Sequence, residues 1–319
     1  MTIHPTIGRS LDVADVAHFW KFGYVKLRNF FYDHEVADLR TAMDEALASF
    51  GKSPNGYNVT AIGDSIWGAD GKIDDQGSSQ HDVNALGDFM RKSGFPRLLE
   101  PEKPKKRGNF LIDTSVWRRE ERLAKFAREG SIPEAAATLL SVDRVRFFDD
   151  QLFVKEGGAV DKAAFHQDLS YFHLDGNRGC VVWIPLDSVR RGGGAMGYVP
   201  GSHKWGATYN ANVFVSEMPS PGTTADNNMP SIDADPERYG VRYIEADPGD
   251  IVIHHFQTIH GSEGNTSDRR RRAFSLRYCD ADIRYQVRPG APFQPLHRQD
   301  ARNGDSLDPE IHPIVWSAV

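Results

Sequence analysis

Apolar residues recur at three- and four-residue steps twice near the start of the chain. Val13, Val16, Phe19 and Trp20 form one stripe, opened by Asp12 as a helix cap and stopped by Gly23. Val36, Leu39, Met43, Leu47 and Phe50 form the second, with Asp33 at the capping position. Between them Tyr24-Val25-Lys26-Leu27 alternates as a strand does. Asn109 to Asp113 reads as a further strand, and helical patterns follow near 115–130 and 132–141. From there the period shortens to two. Arg144 to Phe148 and Gln151 to Lys155 read as strands with a tight connection, and Gly157-Gly158 as a turn. Strands are expected again at Gly179 to Leu186, Met196 to Val199, Val241 to Ala246, Asp250 to Phe256 and Arg271 to Cys279. Helices first and many short strands afterwards predict an α+β chain with a β-sandwich or jelly-roll core flanked by the N-terminal helices.

Two stretches interrupt this pattern. Residues 51–107 and 206–240 are rich in Gly, Asn, Asp, Ser and Pro. Long irregular segments inside a compact unit serve as lids or binding loops, or are plain surface insertions. For 51–107 both readings stand; 206–240 is expected to shape a site entrance. The whole chain, 1–319, is expected to form one domain, with Trp316 tying down a polar tail.

Composition narrows the function. Apolar residues make up 39% and charged residues 26% of the chain, the balance of an ordinary globular protein. A net charge of -6 offers no broad basic field for a phosphate backbone, so nucleic acid is not an expected partner. No apolar run nears the ~20 residues needed to cross a bilayer. Met1-Thr2-Ile3-His4-Pro5 has neither the basic start nor the apolar run of a signal peptide, and Cys180 and Cys279 sit in strand-like apolar surroundings. A cytoplasmic protein with reduced core thiols is therefore expected.

The candidate chemistry begins at Phe165-His166-Gln167-Asp168. Residues two apart on an extended strand point the same way, so His166 and Asp168 can aim a nitrogen and an oxygen at one point. A third ligand from downstream completes two histidines and a carboxylate, a facial set suited to non-haem Fe(II). His260 competes for that position with His254 and His255; its spacing to Ser262, Asn265 and Arg271 favours it. His255 is expected near the site without binding metal, and His203 as a turn residue. Tyr171 and His173, just after the metal strand, face either substrate or solvent. Within the run of four arginines, alternation puts Arg271, Ala273, Ser275 and Arg277 on one side of a strand and Arg272, Phe274, Leu276 and Tyr278 on the other. If Arg271 points inward, so does Arg277, and the apolar side packs under the N-terminal helices.

Phe165-His166-Gln167-Asp168, Trp183-Ile184-Pro185-Leu186-Asp187, Pro200-Gly201-Ser202-His203, Gly249-Asp250, His260-Gly261-Ser262, Asn265 and Arg271 together resemble the phytanoyl-CoA dioxygenase family. The likeness covers roughly residues 15–50 and 140–285. It implies a double-stranded β-helix (cupin-like jelly roll) and an Fe(II)- and 2-oxoglutarate-dependent dioxygenase. Such an enzyme uses O2, oxidises a C–H bond of a small natural-product or catabolic substrate, most simply by hydroxylation, and releases succinate and CO2. By the same resemblance His166, Asp168 and His260 are the iron ligands. Arg271 is the partner of the 2-oxoglutarate distal carboxylate, Ser262 assists it, and Gln151 and Trp183 line the co-substrate pocket. A further co-substrate contact is implied on the strand near Asn109. Related halogenases carry a small residue in place of the carboxylate, so Asp168 argues for oxygenation. Two rivals use the same pattern. A zinc hydrolase leaves Arg271, Ser262 and Gln151 without a role, and a catalytically silent jelly-roll binding protein keeps metal ligands it does not need.

Overall fold

The computed structural model describes residues 11–61, 108–220, 222–223, 227–288, 290–291, 298 and 300–318. Helix α1 (Val13–Phe22) starts at Asp12, whose carboxylate accepts from the Asp15 amide while the Asp15 carboxylate accepts from the Asp12 amide. It ends on Gly23 in the left-handed region, φ 83°, a conformation glycine adopts without strain. Strand β1 (Tyr24–Leu27) and helix α2 (Asp33–Ala48) follow. The cap of α2 is Tyr32 rather than Asp33, because Glu35 reaches back to the Tyr32 amide at 2.9 Å. Of the stretch 51–107, residues 51–61 are described and contribute β2 (Gly56–Asn58); the rest of that expected lid, 62–107, lies outside the described residues.

After β3 (Phe110–Thr114) come helices α3 (Glu121–Arg128) and α4 (Ser131–Leu140). The two strands expected next are one, β4 (Arg144–Lys155). Asp149-Asp150 suggests a turn because aspartate usually competes for nearby backbone amides. Here both carboxylates are engaged elsewhere. Asp150 accepts from the amides of Val116 and Trp117 at 2.6 and 2.8 Å, and Asp149 accepts from Ser115 Oγ and Trp117 Nε1. The strand therefore runs through.

The remaining strands are β5 (Ala163–His166), β6 (Gly179–Pro185), β7 (Met196–Tyr198), β8 (Arg242–Ile244), β9 (Ile251–His255), β10 (His260–Ser262), β11 (Arg271–Asp280) and β12 (Ile314–Ser317). Strands β2, β10 and β12 are the ones the sequence pattern does not show. The large antiparallel sheet runs β1-β9-β6-β11-β4-β3-β2, with β12 also paired to β4. The small sheet runs β5-β10-β7-β8. The two antiparallel sheets enclose a cavity, the double-stranded β-helix arrangement expected.

The alternation of β11 holds. Phe274, Leu276 and Tyr278 bury against Phe19, Leu39, Met43, Leu123 and Ala136 under the helices. Arg271, Ser275 and Arg277 face the cavity. Arg272 emerges on the helix side, where Asp187 and Asp44 both pair with it. Trp316, next to the β4 edge, packs against the same core and anchors the tail.

Near this tail His312 is fully buried, donates from Nδ1 to the Phe148 carbonyl at 2.8 Å and stacks on the Phe148 ring. Burial lowers its pKa from 6.5 to about 4. The unfolded chain then takes up this proton first, so the contribution to stability is complete above pH 6.5 and is lost as pH falls from 6.5 toward 4. His312→Asn keeps a donor and removes the titration. Urea unfolding should show the wild type losing about 2 kcal/mol more than this variant between pH 7.5 and pH 5. Equal losses would contradict the assignment.

Candidate metal centre and co-substrate pocket

His166 is the last residue of β5, and Asp168 opens a single 3₁₀ turn, Asp168–Ser170. The pair is thus not on one strand as expected. Gln167 between them keeps an extended backbone, φ -104° and ψ 134°, which preserves the alternation and turns both side chains inward. Gln167 itself points away and is held by the carbonyls of Ala207 and Gln257.

His260 arrives from β10, directly opposite His166 in the ladder. The donor atoms of His166, Asp168 and His260 all lie within 4.8 Å of one another. Each histidine Nε2 stands 3.7 Å from an Asp168 oxygen. The Nδ1 of His166 donates to the Ala164 carbonyl at 2.7 Å, and that of His260 to the Thr258 carbonyl at 2.9 Å. Those acceptors assign the tautomer and leave both Nε2 lone pairs facing the centre, as a metal requires. Burial holds the His260 pKa well below 6.5, hence neutral. Burial acts to raise Asp168, but His260, His166 and His254 around it outweigh that, and its carboxyl stays well below the usual range. Neutral imidazoles and an ionised carboxylate are the ligand-ready forms.

His254 also reaches this cluster, but as a different kind of partner. Its Nε2 donates to Asp168 Oδ2 at 3.0 Å, and Tyr198 sits 3.3 Å from its Nδ1. A nitrogen that donates its proton to a carboxylate has no lone pair for a metal, so His254 orients Asp168 instead. His255 points the other way. It packs against Phe19, Trp20 and His203 and bonds to the Asn177 carbonyl. The histidine beside the ligands is therefore His254, not the expected His255. His203 lies in a 3₁₀ turn and donates to the Trp20 carbonyl. His173 accepts from the Arg288 amide, away from the cavity. Tyr171 bonds Asn212 and sets its ring edge-on to His166.

The expected co-substrate residues Gln151, Trp183, Ser262 and Arg271 line the same cavity as the three ligands. Phe214, from the second irregular stretch, lines it too. Arg271 is buried, stacks over Trp183 at 5.1 Å and donates from Nη2 to the Gly194 carbonyl at 2.6 Å. Its Nε has no hydrogen-bond partner among the described residues, and burial lowers its pKa to about 10. Lys155 was not singled out in the sequence. It registers opposite Arg271 and is wholly buried, with Nζ 2.9 Å from Ser262 Oγ, 2.5 Å from the Glu263 carbonyl and 4.4 Å from the Phe110 ring centre. Burial, and next the Arg271 charge, push its pKa well below 10.5. Next to Asn109, Phe110 pairs with Lys155 and lines the cavity. Strand alternation from Gln151 through Phe153 would have pointed to Lys155. Lys155 and Arg271, whose Nε is the orphan, are two buried cations that can receive one carboxylate, a set that fits 2-oxoglutarate.

The fold, this cluster and sequence comparison agree on the class. The family model for phytanoyl-CoA dioxygenase (PhyH) matches residues 19–273, so the chain belongs to that family. It is an Fe(II)- and 2-oxoglutarate-dependent dioxygenase. A phytanoyl-CoA dioxygenase of Arabidopsis thaliana is 23% identical over 273 residues, covering 86% of this chain and 90% of the relative. Among solved structures, the non-heme alpha ketoglutarate dependent carbocyclase SnoK from nogalamycin biosynthesis superposes with a TM-score of 0.64 at 22% identity, over 98% of this chain and 99% of that one. EctD from S. alaskensis, solved with 2-oxoglutarate and 5-hydroxyectoine, gives 0.58 at 18% identity, over 96% and 91%. Among the described residues, no helix is long and apolar enough to cross a membrane.

His260→Ala should abolish Fe(II) binding measured by anaerobic calorimetry. His254→Ala should retain the ion with about tenfold weaker affinity, the usual cost of removing a partner of a ligand. The opposite ranking would exchange the two roles.

Proposed function

We propose that His166, Asp168 and His260 hold the ferrous ion. Arg271, Lys155 and Ser262 receive the distal carboxylate of 2-oxoglutarate, and Trp183 and Gln151 complete the pocket. The catalytic set is then His166, Asp168, His260 and Arg271, within a single domain acting on a small molecule. The observation that carries this reading is the orphaned Arg271 Nε beside buried Lys155. A buried, partly unpaired guanidinium is costly unless a ligand satisfies it.

When bound, the iron supplies dioxygen activation coupled to decarboxylation of 2-oxoglutarate to succinate and CO2. The chain supplies the rest. Trp183 holds the Arg271 plane, so its fork meets the carboxylate with little loss of freedom. Lys155 adds a second positive charge to the same carboxylate. His254 keeps one Asp168 oxygen engaged and thereby limits rotation of that carboxylate. Phe110, Phe153, Val181 and Phe214 form an apolar wall that excludes water from the reacting region. With Asp168 present as a carboxylate, insertion of oxygen, simplest as hydroxylation of a C–H bond, is the outcome the ligand set favours. A zinc hydrolase would leave Arg271 and Lys155 without a function.

Anaerobic titration of the Fe(II) protein with 2-oxoglutarate should develop a visible metal-to-ligand charge-transfer band. Arg271→Ala should raise the midpoint by about 10- to 100-fold, the value of losing charge-assisted hydrogen bonds, with iron content unchanged. Lys155→Met should raise it less. No band, with tight zinc binding instead, would favour the hydrolase; an unchanged midpoint would remove Arg271 from the pocket.

A further inference from the structure

The cavity contains another buried cation that 2-oxoglutarate does not need. Arg277 lies on the same face of β11 as Arg271, six residues further on, which is roughly 20 Å along an extended strand. A five-carbon diacid held at Arg271 spans less than half of that. Arg277 nevertheless stands close to the metal cluster. Asp149, Arg277, Val181 and His254 form one row in register across β4, β11, β6 and β9. Adjacent strands are ~4.8 Å apart, so the backbone of Arg277 is about 10 Å from that of His254, whose ring touches Asp168.

The surroundings of Arg277 leave one of its donors unused among the described residues. It is only 8% exposed. Its Nη2 donates to Gln151 Oε1, and Gln151 Nε2 is in turn 3.4 Å from Tyr57 Oη, so the guanidinium is braced from β4 and β2. It packs over the Phe172 ring at 5.4 Å. Its Nε has no partner among the described residues. Asp149, opposite Arg277 in the ladder, is hydrogen-bonded by Ser115 and Trp117; burial raises its pKa to about 6, and the Arg277 charge is the first influence that lowers it. Between Arg277 and the ligands the wall is apolar: Val181 stands between Arg277 and His254 in the ladder, and the Phe214 ring lies 5.4 Å from that of His166.

We propose that Arg277 anchors the substrate and that the substrate is a small organic acid. Its carboxylate pairs with Arg277, and its apolar body lies along this wall beside His166 and Asp168. Arg277 is thus a specificity-determining residue, and Gln151 a positioning residue that holds it. The proposal rests on the oxygenase reading of the same cavity. A free acid is also distinguished from a CoA thioester of the same acid, which has no carboxylate at that end.

The test uses Co(II)-loaded protein saturated with 2-oxoglutarate under argon and reads the visible Co(II) spectrum. Hexanoate, 3-methylbutanoate and phenylacetate are titrated against their primary amides, with hexanoyl-CoA alongside. At least one acid should shift the spectrum with a midpoint below about 1 mM and at least tenfold below that of its amide. Arg277→Met should lose at least tenfold in acid binding, a loss clearly larger than any change in the 2-oxoglutarate midpoint, while the Co(II) midpoint stays at its wild-type value. Arg277→Gln combined with Asp149→Asn removes both charges and serves if the single variant does not fold. Amides binding as well as acids, no acid binding, tighter hexanoyl-CoA, or full acid affinity in the variants would each overturn the proposal. Failure of 2-oxoglutarate itself to perturb the Co(II) spectrum would instead overturn the oxygenase reading.

Discussion

The pairing of β10 with β5 is the constraint on which the site depends. It places His260 opposite His166, joining two segments remote in sequence. Gly261 allows the approach, since a Cβ there would stand 2.8 Å from the Ala163 carbonyl. Once the ladder forms, each ring is oriented locally by a carbonyl two residues earlier on its own segment. The geometry of the ligands is therefore a property of two short backbone segments and needs few outside contacts. Asp168 is the exception, because its carboxylate lies beyond the end of β5 and is steadied from the other sheet by His254.

The two sheets divide the charge between them. The small sheet and its following turn supply His166, His260 and Asp168; the large sheet supplies Lys155, Arg271 and Arg277. In a low-dielectric interior, unpaired cations are expensive and respond strongly to an anion. The cost is visible in the depressed pKa values of Arg271 and Lys155, for which burial is the first cause. Such an interior is suited to binding anions and poorly suited to being left empty. The contrast with Arg272 is instructive: one residue away on the same strand, it faces the helices and is neutralised by Asp44 and Asp187.

Much of this was legible in the linear pattern. The cap of α1, the stripes of α1 and α2, and the alternation of β11 that puts Arg271 and Arg277 on one face follow from local periods of 3.6 and 2. The errors have local causes too. Asp149-Asp150 read as a turn because the partners that free the backbone, Ser115, Val116 and Trp117, come from a separate segment. Lys155 read as a strand-end lysine because nothing nearby in sequence shows that Arg271 and Ser262 surround it.

The sequence by itself determined which elements form, which face of each strand is apolar and which residue types are available for a metal and a carboxylate. Those follow from backbone sterics and side-chain chemistry within a few residues. The spacing to Ser262, Asn265 and Arg271 favours His260 over His254, and only the tertiary structure shows which partner each ring meets. The two rings differ in which nitrogen is left without a proton: the local Thr258 carbonyl sets it for His260, and the remote Asp168 carboxylate for His254.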